Sequence, residues 1–302
     1  EIPIEKISGF AQKLYDIMSQ HWFTPATPVL TNIGTNRGLP ISCFLNAVPD
    51  SIQGITGTNT ENAFLSKGGG GIGTHWGNVR HHKASLSTGG KSSGIIPFLK
   101  IMDSQTLAIS QGNTRRGAAA VYLNVWHPEI EEFIEIRREV GGDINRRCHN
   151  IHHGICIDDA FMIAVEKRLP YDLVCPKTKE VVKTVDAFDL FKRILSLRVE
   201  TGEPYLLFID NVNKTLPAHH KKLDLEVQQS NLCSEITLPT TDDRTAVCCL
   251  GSMNLERHDE WKDVDDVVYL AVRALDNILQ DFIQTADPEH YAKAILDRKS
   301  VV

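Results

Sequence analysis

Asn231-Leu-Cys-Ser-Glu235 is the stretch whose reading decides the fold. It sets a carboxamide, a thiol and a carboxylate at alternate positions. In an extended segment, side chains at i, i+2 and i+4 share one face. Asn231, Cys233 and Glu235 are then expected to face one substrate, the thiol standing between a neutral hydrogen-bonding group and a base. Pro239 limits the extended run, which predicts a finger-like loop instead of a helix. Taken alone, five such residues equally suit a chance surface loop or a buried small cysteine. The other cysteines shift the balance.

There are seven, at 43, 148, 156, 175, 233, 248 and 249. They are too sparse and irregular for a disulfide framework, and no CxxC points to structural zinc. A reducing cytoplasm with a few working thiols is expected. Cys43 lies in the β-prone Ile41-Ser-Cys-Phe-Leu45, and Cys248 in Val247-Cys-Cys-Leu-Gly-Ser-Met-Asn-Leu255. If they face each other across a pocket, Cys43 and Cys248 form a dithiol able to give up two electrons and close to a disulfide. Alternation along a strand turns the adjacent Cys249 to the other face.

The 302 residues suffice for a substantial core, and 42% hydrophobic with 23% charged residues is ordinary for a globular protein. A net charge of −6 argues against broad nucleic-acid binding. No apolar run approaches a membrane span, and the N-terminus has no secretory signal pattern. The His doublets 81/82, 152/153 and 219/220 are poor chelators, because adjacent strand residues point to opposite faces, and no metal is assigned.

The pattern predicts helices over 7–22, 94–108, 127–140, 158–167, 186–200 and 264–283. Strands are expected over 118–126, 150–157 and 204–209. Residues 24–46 read as extended segments with turns, and the glycine-rich 66–73 as a loop where backbone approaches something closely. Pro128 and the acids at 129, 131 and 132 are read as opening the 127–140 helix. Alternating strands and helices indicate an α/β fold with largely parallel pairing.

Together, Asn-x-Cys-x-Glu, Ser-Cys-Phe-Leu and Cys-x-Leu-x-Ser-x-Asn-Leu resemble the catalytic large (alpha) subunit of ribonucleotide reductase, class I-like. Ser110-Gln-Gly-x-x-Arg115, followed by Gly117-Ala-Ala, is similar to that family's specificity-signalling loop. The resemblance runs from about residue 20 to the end. It implies part of a ten-stranded α/β barrel with a central finger loop. Residues 1–22 would be a remnant of an N-terminal helical region, and 23–302 the first half of the barrel, its C-terminal half absent.

The resemblance also implies roles. Cys233 would carry a thiyl radical that abstracts the ribose 3′ hydrogen, Glu235 would take the 3′-hydroxyl proton, and Asn231 would hydrogen-bond the sugar. Cys43 and Cys248 would supply the reducing equivalents. Thr27, Ser42, Gly70, Gly71 and Arg115 would contact the ribonucleotide substrate. Asp50, Ser51, Ile52, Arg80 and Ser87, where some relatives carry arginine, would hold a deoxynucleoside triphosphate or ATP effector. The chain itself would bind no cofactor. A partner small (beta) subunit would supply the radical, thioredoxin or glutaredoxin would renew the dithiol, and the complete large subunit would be a homodimer. The isolated chain is expected to be inactive until a complementary C-terminal polypeptide is added. Two alternatives stay open: the adenosylcobalamin-dependent class, which shares Asn-x-Cys-x-Glu, and a non-catalytic nucleotide-binding regulator.

Overall fold

The computed structural model describes residues 4–109, 116–140 and 143–295. Its centre is a six-stranded sheet. Strands β2 (Cys43–Ala47), β3 (Gly71–His75), β4 (Ala119–Asn124), β5 (His152–Ile157) and β8 (Tyr205–Phe208) run parallel in that order, and β9 (Ala246–Cys248) joins β2 antiparallel. The expected α/β class with largely parallel pairing, forming a partial barrel, is what the chain adopts.

Parallel strands need crossovers, and the chain supplies helices for them. α3 (Ile52–Lys67) joins β2 to β3, and α4 (Ile96–Ala108) lies between β3 and β4. Between β5 and β8 come α6 (Asp159–Lys167), the hairpin β6 (Pro170–Val174) and β7 (Val181–Asp186), and α7 (Ala187–Thr201). Asp158 caps α6 by accepting the Phe161 N–H, and Asp186 caps α7 through the Asp189 N–H, as short acidic side chains do at helix starts. The remaining helices are α1 (Ile4–Ser19), α2 (Thr27–Asn32), α5 (Ile130–Phe133), α8 (Ile209–Lys214), α9 (Ala218–Lys221), α10 (His258–Trp261), α11 (Val267–Thr285) and α12 (Pro288–Ile295). A small sheet pairs β1 (Phe23–Pro25) with β10 (Gly251–Met253).

Strand alternation divides the core in two. Phe44, Ile72, Val121 and Ile155 point to the helical side, where the largest cluster lies, and Phe44 meets Phe282 of α11 with ring centroids 6.4 Å apart. Ala120, Tyr122, Cys156 and Leu207 line the opposite, concave side, covered by Val227 and Leu232 from the segment after α9. Each buried Val, Leu, Ile or Phe among them contributes roughly 1.5–3 kcal/mol.

Four expectations differ. The 127–140 helix shrinks to the single turn of α5, and the chain beyond it turns, with Phe133, Ile134 and Ile136 all buried. The Cys148 N–H then takes the Ile136 carbonyl at 2.7 Å. In the glycine-rich 66–73 segment, Ser66 and Lys67 end α3, Gly68–Gly70 make the turn, and Gly71 onward is the buried strand β3. Residues 27–32 form a helix, with Pro28 in its first turn. The fourth concerns the decisive stretch itself. Among the described residues no helix is long and apolar enough to cross a membrane.

Candidate active site

Residues 227–240 form a finger that crosses the concave face of the sheet. Its base is tied to strand ends: the Cys156 thiol donates to Gln228 O at 3.2 Å, and Gln229 Nε2 to Asn46 O at 2.9 Å. Thr240 Oγ1 donates to Gln229 Oε1 at 3.1 Å and Gln228 Nε2 to Thr240 O at 3.1 Å, so the two limbs hold each other.

The tip is a turn. Ser234 has φ +66°, and the Asn231 carboxamide oxygen accepts the N–H groups of Glu235 and Ile236, each at 3.1 Å. Residues 231–235 are therefore not the extended strand that alternation suggested. Asn231, a residue given to local side chain–backbone bonding, folds the tip on itself. The same carboxamide still joins the expected groups: Nδ2 donates to Glu235 Oε1 at 2.7 Å and to Cys43 Sγ at 3.3 Å. Asn231 is buried, whereas Cys233 is exposed at the apex.

Two glycines admit the finger. A Cβ on Gly73 would lie 2.1 Å from Ser230 O, and one on Gly71 would lie 2.9 Å from Leu232 Cδ2 and 3.5 Å from Cys43 Sγ. The close approach expected of this glycine run is real, and the approaching group on this face is the finger. Gly70 differs, since its missing side chain makes room for the Phe44 ring at 2.3 Å on the core side. Tyr122, buried in β4, donates its hydroxyl to Asn231 O at 2.6 Å. Sequence reasoning missed Gly73 and Tyr122 as site residues; the signal was the period of two through Gly71, Gly73 and His75, and through Ala120, Tyr122 and Asn124.

Cys43 and Cys248 are cross-strand partners in the β2–β9 register. Cys249 turns to the other face and packs in the main core, as alternation requires. Burial, with Cys43 and Glu235 as neighbours, pushes the Cys248 thiol well above the ordinary range, so it stays protonated at neutral pH. Tyr205 also lies close; its phenol is raised by burial and then by Glu203, Cys233 and Glu235.

Of the expected substrate contacts, Ser42 is buried and its backbone N–H donates to Cys248 O at 3.0 Å. Its hydroxyl makes no hydrogen bond. Thr27, the first residue of α2, is exposed and follows Ala26, whose N–H donates to Leu250 O at 2.9 Å. Ser42 is thus bonded directly to Cys248, while Thr27 lies beside the turn that follows it. Arg115 and most of its loop lie outside the described residues.

The expected effector residues gather beyond the other ends of β2 and β3. Arg80 pairs bidentately with Asp50, Nε reaching Oδ1 at 2.9 Å and Nη2 reaching Oδ2 at 2.8 Å, and it also donates to Ser85 O at 3.1 Å. The two residues bind each other instead of presenting separate groups. Ser51 caps α3 by accepting the Gly54 N–H at 2.9 Å, Ile52 is exposed, and Ser87 lies exposed in the 81–95 loop. The 152/153 doublet behaves unlike the sequence expectation, since His152 and His153 both reach the Glu203 carboxylate. Burial raises that carboxyl, but the two histidines outweigh it and hold Glu203 well below the usual range. Asp287, Glu289 and His290 bring ligand atoms within 4.8 Å of one another among the described residues, away from the finger's contacts.

The site is thus a pair of cysteines set across adjacent strands of an α/β partial barrel, with a third cysteine on a finger whose Asn231 bonds the first. Residues 41–294 match the ribonucleotide reductase barrel domain and residues 4–38 its all-alpha domain, so the chain belongs to the ribonucleotide reductase large-subunit family. A Frog virus 3 relative is 46% identical over 297 residues, covering 96% of this chain and 51% of the relative. The ribonucleoside-diphosphate reductase large subunit of Invertebrate iridescent virus 3 is 39% identical, with 92% and 51% covered. Among solved structures, the Actinobacillus ureae class Id ribonucleotide reductase alpha subunit superposes with a TM-score of 0.82 at 32% identity, covering 95% of this chain and 50% of that one. The chain spans about half the length of these relatives.

Proposed function

We propose that this chain carries the reducing centre of a class I ribonucleoside-diphosphate reductase, completed by the remainder of a large subunit. The observation that carries the reading is the Asn231 carboxamide, which joins the Cys233 finger to both Glu235 and Cys43 while Cys43 faces Cys248.

The residues divide the work by their chemistry. A partner small subunit supplies the radical. A thiyl at Cys233 takes the 3′ hydrogen atom of the ribose. Glu235 accepts the 3′-hydroxyl proton, and Asn231 orients both carboxylate and sugar. The 2′-hydroxyl leaves as water with a proton from a thiol, which fits a Cys248 held protonated by burial. Cys43 and Cys248 give two electrons and close to a disulfide, and Cys233 returns its hydrogen to C3′. Two electrons and two protons then balance loss of one hydroxyl as water. Asp50, Ser51, Ile52, Arg80 and Ser87 receive the nucleoside triphosphate effector, and Thr27, Ser42, Gly70, Gly71 and Arg115 the substrate. Thioredoxin or glutaredoxin restores the thiols, and the assembled subunit works as a homodimer in the cytoplasm.

The test is reconstitution. The 302-residue chain, mixed with the C-terminal part of a related large subunit and its small subunit, is expected to convert CDP to dCDP. Cys233→Ser should abolish this with nucleotide binding intact. Equal turnover by Cys233→Ser would overturn the proposal.

A further inference from the structure

We propose that Glu129 is the positioning residue of the 81–95 loop, fixing its anion-facing groups by accepting backbone N–H groups at both of its feet. The inference rests on the effector reading of Asp50, Arg80 and Ser87. The acids at 129, 131 and 132 had suggested a helix start, yet Glu129 is only 7% exposed and its carboxylate turns away from α5. Oε2 accepts the His82 N–H at 3.0 Å and the Ile95 N–H at 3.0 Å, and Oε1 accepts Ile95 at 3.3 Å.

Between those feet the loop closes on itself. Lys83 N–H donates to Ser92 O at 2.9 Å, Ser92 N–H to Ala84 O at 2.8 Å, and Lys91 Nζ to Ser85 Oγ at 3.1 Å. One carboxylate therefore sets the spacing of both ends. Gly94 has φ +80°, and its Cβ position would lie 2.3 Å from Glu129 Oε1, so only glycine lets the carboxylate in.

A second tie runs to the arginine. Glu129 N–H donates to His127 Nδ1 at 3.1 Å, which leaves Nε2 to donate to Val79 O at 2.9 Å. Val79 precedes Arg80, whose own N–H donates to Asp50 Oδ1 at 3.1 Å. The Glu129 carboxylate thus holds the loop that carries Lys83 and Ser87, while its backbone N–H, through His127, sets the register of Arg80.

Burial pushes the Glu129 carboxyl up to about 7 against its backbone donors. The titratable and charged groups around it are His81 and His82 of the loop, His127 and Glu132 of its own segment, and Arg146 of the Ile144–Arg146 turn. Protonation turns an acceptor oxygen into a hydroxyl, so the loop's feet loosen as pH falls through that value.

The 302-residue chain is titrated with dGTP between about pH 6 and pH 8.5, and hydrogen exchange at the His82 and Ile95 amides is followed in parallel, corrected for intrinsic rates. Protection of both amides and dGTP affinity should rise together with pH. Glu129→Gln should remove that pH dependence, speed exchange at both amides at least ~10-fold and weaken dGTP by about 10-fold. Arg80→Ala should abolish dGTP binding while His82 and Ile95 stay protected; loss of that distinction would sink the effector reading and leave the amides to judge the clamp. Wild-type protection or unchanged pH dependence in Glu129→Gln overturns the proposal. So does a flat wild-type profile, which needs no variant to fold.

Discussion

Cys43 and Cys248 are direct partners across the β2–β9 seam, and Cys249 next door faces the core. Opposite residues of an antiparallel pair hold their Cβ atoms about 4.5–5.5 Å apart, and a disulfide needs about 3.5–4.5 Å. Closure therefore asks the strands to draw together by roughly 1 Å. Mild oxidation should remove two thiols per chain and give one peptide cross-link joining Cys43 to Cys248, read by mass spectrometry. Cys43→Ser should leave Cys248 alkylatable. A Cys248–Cys249 link as the main product would contradict the register.

The Asn231 carboxamide accepts from Glu235 N, Ile236 N and Ser230 Oγ and donates to Glu235 and Cys43. Asn231→Ala strands two backbone N–H groups of a packed finger, at a cost of about 2–3 kcal/mol. Urea denaturation should show that loss with an unchanged m-value. A change under about 0.5 kcal/mol would mean the tip is held elsewhere.

Gly73→Ala places a methyl 2.1 Å from Ser230 O, a backbone atom with little freedom to move. The finger must lift or the strand must bend, costing about 1–3 kcal/mol. The expected result is lower stability and, in the reconstituted enzyme, a fall in kcat exceeding any change in KM. Gly57→Ala, whose position has no left-handed φ and meets nothing within 4 Å, is the control for an added methyl without a clash.

Tyr122→Phe keeps the ring beside Gly154 and deletes the hydroxyl that donates to Asn231 O at 2.6 Å. A loss of about 1 kcal/mol is expected. Alkylation of Cys233 should quicken as the tip loosens. Unchanged alkylation kinetics would show that the Ser230 and Asn231 bonds hold the tip without it.

Alkaline pH should unfold the protein. Burial pushes the Cys148 and Cys249 thiols up to about 12 from an ordinary 9, and raises Cys156 and Cys248 in the same direction. Below pH 9 these thiols are neutral in both states. Between 9 and 12 the unfolded chain releases protons that the native one retains, so stability falls as pH rises. Each thiol contributes about 1.4 kcal/mol per pH unit there. Cys148→Ala should flatten the slope by one such increment; an unchanged slope would show that the thiol already ionises in the native protein.

β4, β5 and β8 were legible because their apolar runs are bounded by turns, and the thiols because each sits in a distinctive context; β3 was not, because its glycines read as a loop. The finger tip was misread since Asn231 bonds its own backbone, which overrides alternation. The 127–140 stretch has helical composition, but beyond Phe133 its backbone bonds elsewhere, the Ile136 carbonyl accepting from the distant Cys148. The hairpin β6–β7 escaped notice because its second strand is mostly exposed, leaving little hydrophobic pattern. The pairing of Asp50 with Arg80, thirty residues on, has no local signature at all.

The seam between β2 and β9 has one more consequence. Its two sulfurs lie 205 positions apart in the chain. Bridging a ring of that size removes enough freedom from the denatured ensemble to favour the native state by roughly 5 kcal/mol. Oxidant exposure would then act as a covalent rivet, making the spent form melt later than the form ready for another cycle. Thermal scans with and without reductant thus become a direct gauge of which form a preparation contains.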